Sequence, residues 1–173
     1  MEYTDSAKHG IILKCFGMNF SPILIQDAAE VKKLQHFLQA NNLPYADIKS
    51  EGNVFIAYYD AEGNMIASGG LELYGASALL RSVAVDHHYR GKELGKQMVD
   101  ELLVKARDLK IDFIFLLTET ARPFFLKKGF FDVSREDVPV ELKSSSEFSF
   151  ICPVSAACMS VRINRSTPAL AGG

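Results

Sequence analysis

One stretch constrains this chain more than any other: Ser82-Val-Ala-Val-Asp-His-His-Tyr-Arg-Gly-Lys-Glu-Leu-Gly-Lys96. An apolar strand ends at Val85 and a short basic loop follows. Leu94, Met98, Leu102, Ala106 and Leu109 then recur on one face of a helix of about four turns. A strand that feeds a helix through such a loop aims several backbone N–H groups, and the positive end of the helix dipole, at one spot. Gly91 and Gly95 remove side chains where a diphosphate needs close backbone approach, and Arg90, Lys92 and Lys96 add local positive charge. An ordinary strand–loop–helix junction with solvated basic residues has the same local pattern, so the physics alone leaves phosphate binding and a bare junction both open.

The rest of the chain supplies the elements around this junction. Pro22–Gln26 is a short β-rich run, and Asp27 followed by Glu30 marks a helix start. Ala28, Val31, Leu34 and Leu38 keep helical spacing until Asn41, Asn42 and Pro44 stop it. Val54–Tyr59 reads as a strand, Asp60–Asn64 as a hairpin turn, Met65–Tyr74 as a second strand, Gly75–Ser77 as a turn, and Ala78–Val85 as a third strand. Asp112–Thr118 is continuously apolar at its centre, as a buried strand is. A short helix over Ala121–Lys128 ends at Gly129, and Phe130–Val133 and Ala156–Ile163 read as closing strands. The order β-α-β-β-β-α-β-α-β-β predicts an α/β (α+β) fold, a mixed sheet flanked by helices in a single domain over residues 21–165. Residues 1–20 read as an N-terminal extension and 166–173 as a flexible tail.

Composition narrows the function. In 173 residues, 48% are apolar and Lys+Arg 19 nearly balances Asp+Glu 21, so the chain buries a core and has no general positive field for nucleic acid. No run approaches the roughly 20 apolar residues that span a bilayer, and the first ten residues lack a basic segment leading into an apolar one. Cys15, Cys152 and Cys158 are an odd number, against a disulfide framework. A cytoplasmic protein with no membrane partner is expected. The spacing of Cys152 and Cys158 matches no zinc pattern, and His87 and His88 read as solvated loop residues, so no metal site is expected.

Two familiar phosphate loops are absent: no Gly-Lys-Ser or Gly-Lys-Thr occurs, and no Gly-x-Gly-x-x-Gly. Val83-Ala84-Val85 and Arg90-Gly91-Lys92-Glu93-Leu94-Gly95 instead resemble motif A of the GNAT superfamily of acyl-CoA-dependent N-acetyltransferases, with Glu93 in place of the first motif glycine. Downstream, Thr118-Glu-Thr-Ala121-Arg-Pro-Phe124-Phe125-Leu-Lys-Lys-Gly129-Phe130 is similar to the superfamily's next motif. Here Thr118 stands for an Asn that binds the pantetheine arm, and Phe125 for a Tyr that protonates the leaving thiolate. Gly70–Gly75, Ala78–Val85, Leu116–Thr118 and Glu147–Ala157 resemble the arsenic-resistance N-acetyltransferases, themselves similar to the acetyltransferase domain of N-acetylglutamate synthases. The resemblance covers about residues 22–163 and implies the GNAT fold and acetyl-CoA as cofactor. It also implies acyl transfer to the amine of a small molecule, an amino acid or an analogue of one.

That resemblance implies a cofactor site at Val83, Ala84, Val85, Arg90, Gly91, Lys92, Glu93, Leu94, Gly95, Lys96, Thr118, Ala121, Phe124 and Phe125. An amine attacks a thioester directly, so the chemical demand is proton removal: an amine of pKa near ~10 is only about one part in a thousand neutral at pH 7. Glu72 and Glu119 are the candidate bases, and backbone N–H groups around Val83–Val85 the candidate oxyanion donors. Arg81 is a charge inside an apolar strand. Alternation puts it on the face of Val83 and Val85, where it either anchors a substrate carboxylate or pairs with Glu72 on the neighbouring strand. A peptide acetyltransferase, and a non-catalytic acyl-CoA-binding or thiol-based sensor, are the alternative functions; a homodimer is left open.

Overall fold

A computed structural model describes residues 20–163, so the expected tail, Cys15 and nearly all of the expected N-terminal extension lie outside the described residues. The strands are β1 (Ile23–Leu24), β2 (Asn53–Tyr59), β3 (Met65–Tyr74), β4 (Ser77–Val85), β5 (Phe113–Thr118), β6 (Phe131–Asp132) and β7 (Ala157–Arg162). The helices are α1 (Ala28–Ala40), α2 (Leu94–Asp108), α3 (Arg122–Lys127) and α4 (Val140–Lys143). The strands form one sheet in the order β1-β2-β3-β4-β5-β7-β6, antiparallel except for the β4–β5 pair. Parallel neighbours need a crossover, and α2 supplies it. No helix among the described residues is long and apolar enough to cross a membrane.

Each helix buries the face its spacing dictates. On one side of the sheet Leu94, Met98, Val99, Leu102 and Ala106 of α2 join Ile56, Ile66, Leu71, Ala78, Leu80, Ile114 and Leu116, with Phe125 and Phe130 closing the far end. On the other side Leu34 and Leu38 of α1 cover Phe55, Ala57 and Ala84, and Val138 and Leu142 cover Leu79, Phe115 and Cys158. Each large apolar side chain so buried contributes roughly 1.5–3 kcal/mol. Two adjacent glycines in β3 let both layers close: a Cβ on Gly69 would lie 2.8 Å from Leu102 Cδ1, and one on Gly70 would lie 2.2 Å from Phe55 Cδ1.

Helix ends follow the sequence signals. Asp27 Oδ1 accepts the Glu30 N–H at 2.9 Å, and Glu30 Oε2 accepts the Gln26 N–H at 3.1 Å. The short helix α3 closes at Gly129, with φ +85° and bonds from Gly129 N to Leu126 O and from Phe130 N to Phe125 O, a Schellman turn. Asn42 closes α1 in the same way at φ 58°, which sends Leu43 and Pro44 back across the sheet.

One expectation is corrected in β4. Ser68 pairs with Ala84, but Gly70 pairs with Arg81, so β4 spends three residues against two of β3, with Ser82 at φ 60° as the extra one. This bulge reverses the alternation. Val83 and Val85 pack with Ala78 and Leu80 on the α2 side, while Arg81 points with Leu79 to the opposite face. The segment between β6 and β7, for which periodicity assigned no element, holds a 3-10 turn at Arg135–Asp137, α4, and a π-helical turn at Glu147–Ile151.

Candidate active site

The parallel β4–β5 pairing runs only over Ser77–Leu79 and Phe113–Phe115. Beyond it the strands part, and a cleft of about 440 Å³ opens between Leu80–Val83 of β4 and Leu116–Thr118 of β5. The α1 exit (Asn41–Pro44) walls one end, and Glu147, Ile151 and Cys152 of the π-helical segment face the cleft. Next along β4 lies a second hollow of about 260 Å³, lined by Val85, Tyr89, Arg90, Gly91, Glu93, Leu94, Gly95, Lys96 and Phe124. The larger lies at the sheet's split and the smaller at the N-terminus of α2.

The N-terminal end of that helix is built to take a ligand. Glu93 occupies the N-cap position with φ 64° and gives no side-chain cap; its carboxylate turns aside to Lys96 at 3.1 Å. A Cβ on Gly95 would meet only Val85 Cγ2, at an ordinary 3.6 Å, so packing does not demand glycine there. Gly91 has φ +74°, a backbone that L side chains adopt at a cost. Arg90 Nε donates to Val85 O at 3.0 Å, and Lys92 Nζ sits 4.9 Å over the Tyr89 ring rather than in the hollow.

Of the other expected cofactor residues, Val83, Thr118, Ala121 and Phe125 line the larger cleft and Phe124 the smaller hollow. Ala84 differs: its side chain is buried on the α1 side, away from both, because the bulge sets it there. Thr118 Oγ1 accepts the Ala121 N–H at 3.0 Å, which leaves the hydroxyl proton to donate. Phe125 is buried and packs edge-on against Phe124 and Phe130. Ser82 Oγ is buried at the cleft wall with no hydrogen-bond partner among the described residues, so a bound molecule can supply one.

The candidate polar groups divide sharply. Glu119 is exposed at the cleft rim. Glu72 does not line the cleft, and both its oxygens are engaged: Oε1 accepts from Arg81 Nη1 at 2.6 Å and Oε2 from Tyr74 OH at 3.0 Å. The Arg81 side chain has no exposed surface. Its Nη1 also donates to Asp47 Oδ2 at 2.6 Å, its Nη2 donates to Asp47 Oδ1 at 3.0 Å, and its Nε lies 3.1 Å from Glu147 Oε1. The last contact is off-line, a charge contact without a hydrogen bond. Arg81 as an open anchor for a substrate carboxylate is therefore corrected: three carboxylates already surround it, and the bulge is what turns it toward them.

Those carboxylates behave differently. Burial works against ionisation of Asp47, but Arg81 outweighs it and holds the carboxyl below the usual range. At Glu147 burial wins over the Arg81 attraction, with the Glu72 and Asp47 charges adding to it, and the carboxyl is pushed up to about 7. Burial, reinforced by Glu147, pushes the neighbouring Cys152 thiol up to about 11, so it stays protonated and is no nucleophile at neutral pH. Cys152 Sγ lies 3.9 Å from Glu147 Oε2. Among the described residues the cysteines join no cluster of metal-ligating groups; the one such cluster is the loop trio Asp86, His87 and His88, in which Asp86 also caps a separate 3-10 turn at His87–Tyr89.

Glu147 is the functional candidate that sequence reasoning missed. The available signal was Arg81 itself, since a cation in an apolar strand demands carboxylate partners. Only the partner on the adjacent strand is deducible from spacing.

Residues 50–131 match the Acetyltransferase (GNAT) domain family. An amino-acid acetyltransferase of Mycobacterium tuberculosis is 34% identical over 84 residues, 48% of this chain and 48% of that protein, so the chain spans about half the length of this curated relative. A GNAT-family acetyltransferase from Staphylococcus aureus superposes with a TM-score of 0.65 at 20% identity, over 84% of this chain and all of that one. N-acetylglutamate synthase from Neisseria gonorrhoeae, solved with coenzyme A and N-acetyl-glutamate, superposes with a TM-score of 0.69 at 16% identity, over 86% of this chain and 36% of that one. The split sheet and the uncapped helix start at its mouth both fall within or beside the stretch, residues 50–131, that is similar to the GNAT acetyltransferase domain.

Proposed function

We propose that the protein transfers the acetyl group of acetyl-CoA to the amine of a small molecule, an amino acid or an analogue of one. The observation that carries the reading is the parting of β4 from β5 beside the uncapped start of α2. Acetyl-CoA supplies an activated acetyl thioester. The backbone of Arg90–Lys96 holds its diphosphate, where the N–H groups of the helix start and the helix dipole favour negative charge. Thr118 and Ser82 offer hydroxyls to the amides and carbonyls of the arm lying between the strands. Backbone N–H groups of Val83–Val85 stabilise charge on the thioester oxygen. Phe125 gives no proton to the departing sulfur and acts by packing.

The acceptor enters from the side of Asn41–Pro44 and the π-helical turn. The only cation lining the cleft among the described residues is Arg81, which is enclosed, whereas Glu119 and Glu147 are both acidic, so the cleft favours the positive charge of an ammonium. The amino-acid class rests on the relatives that are amino-acid acetyltransferases and N-acetylglutamate synthases. A thiol-release screen tests the reading, run with acetyl-CoA over amino acids, aminophosphonates, their decarboxylated amines and short peptides. Release with an amino acid or analogue is the expected result. Release only with peptides, or with no amine at all, overturns it in favour of a protein acetyltransferase or a non-catalytic binder.

A further inference from the structure

Arg81 hydrogen-bonds two carboxylates but lies among three. Asp47 accepts two good hydrogen bonds from the guanidinium, and Glu72 accepts one from it and one from Tyr74. Glu147 is left over. Its contacts are the off-line approach to Arg81 Nε and a thiol at 3.9 Å, yet it is 7% exposed and faces the cleft. A buried carboxylate with unfilled lone pairs is costly as an anion, which makes it a ready proton acceptor for a cation that arrives beside it. The π-helical turn that begins at Glu147, with Cys152 N bonded to Glu147 O at 3.0 Å, aims it there. Turns of this type recur at functional sites.

We propose that Glu147 is the general base of the transfer, resting on the acetyltransferase reading above: it takes one proton from the acceptor ammonium as the amine enters the cleft. The nitrogen lone pair then forms the C–N bond, and the C–S bond breaks with its electron pair going to sulfur. The second nitrogen proton ends on that sulfur, and Glu147 returns its own proton to solvent, so one proton is released per acetyl group. Arg81, Glu72 and Asp47 face Glu147 from the sheet and the loop after α1, Cys152 from its own turn, and Tyr74 from behind Glu72. Arg81 and Asp47 keep their charges through the neutral range. A carboxyl raised to about 7 is half ionised where the reaction runs, the poise a general base needs.

The test is kcat/KM for the amine by thiol release from pH 5.5 to 9.5, in the unaltered protein, Glu147→Gln and Glu147→Asp. The unaltered protein should rise to a plateau above about pH 7. Glu147→Gln should fall by about 10²- to 10⁴-fold at pH 7 and climb with pH toward the amine's own pKa with no plateau, because it must draw on amine already neutral in solution. Glu147→Asp should keep the plateau at reduced height. A second readout needs no turnover: carboxyl ¹³C NMR of the ligand-free protein should show one glutamate titrating near neutrality, absent from Glu147→Gln. Coenzyme A affinity should stay unchanged in both variants. A Glu147→Gln protein that binds coenzyme A and keeps the plateau within about fivefold overturns the assignment while leaving the transferase reading intact. Absence of thiol release from the unaltered protein overturns both.

Discussion

The surplus carboxylate beside Arg81 has a consequence for stability that can be measured without substrate. Glu147→Gln removes a charge that has an ordinary value of 4.5 when free and is raised to about 7 when folded. A carboxyl raised by folding binds more protons in the native state than in the unfolded one, so it favours folding at low pH and loses that advantage as pH climbs through the window from 4.5 to about 7. Comparing the two titration curves gives a loss of about 1 kcal/mol by pH 5 and about 3 kcal/mol by pH 8. Glutamine carries no such slope. The stability difference between variant and unaltered protein should therefore shift by about 2 kcal/mol in the variant's favour from pH 5 to pH 8, or about 4–8 °C in Tm for a domain of this size. Taking the difference between the two pH values cancels any fixed packing effect of the amide. Thermal melts by circular dichroism at both pH values are the assay. A shift that is zero, or that favours the unaltered protein at pH 8, would refute the claim that Glu147 is an under-compensated buried anion.

Other perturbations follow from the same geometry. Arg81→Met leaves the buried Glu72 and Glu147 and the half-buried Asp47 without their cation and should cost about 3–5 kcal/mol by urea denaturation; a cost below 1 kcal/mol would mean the cluster is not held as described. Gly70→Ala drives a Cβ into the Phe55 ring and should destabilise by about 1–3 kcal/mol, whereas Gly95→Ala, which meets only Val85 at 3.6 Å, should stay within about 0.5 kcal/mol; equal costs at the two sites would contradict the packing. Phe125→Tyr should leave kcat within about tenfold, because a departing thiol of pKa about 8–9 needs little help. A gain of several hundredfold would show that a proton donor was wanting.

How far the sequence carried depended on the range of the interaction. Local signals were readable: Asp27 and Glu30 cap α1, Gly129 ends α3, and the apolar period places Met98 and Leu102 under the sheet. The strand–loop–helix at Val85–Leu94 likewise stood out, because backbone geometry and glycine positions are written in consecutive residues. The bulge at Ser82 was not readable, since serine is not a residue that announces a left-handed backbone, and one extra residue there reversed the face assigned to Arg81. The partnership of Arg81 with Asp47 and Glu147 was hidden for a different reason. Both come from irregular segments whose approach is set by tertiary packing of Leu142, Val138 and Ile48, and no spacing rule links them to β4. Glu72 was found because neighbouring strands put cross-strand partners at predictable places, yet the same pairing removes it from the cleft.

Calorimetric titration with coenzyme A tests the proposal that the backbone at the start of α2 holds the diphosphate of a coenzyme A thioester. The unaltered protein should bind one coenzyme A per chain. Gly95→Glu should abolish that binding in a protein whose melting curve shows it folded, because the new carboxylate occupies the ligand's place and repels it. Unchanged affinity in folded Gly95→Glu, or no binding by the unaltered protein, would contradict the account.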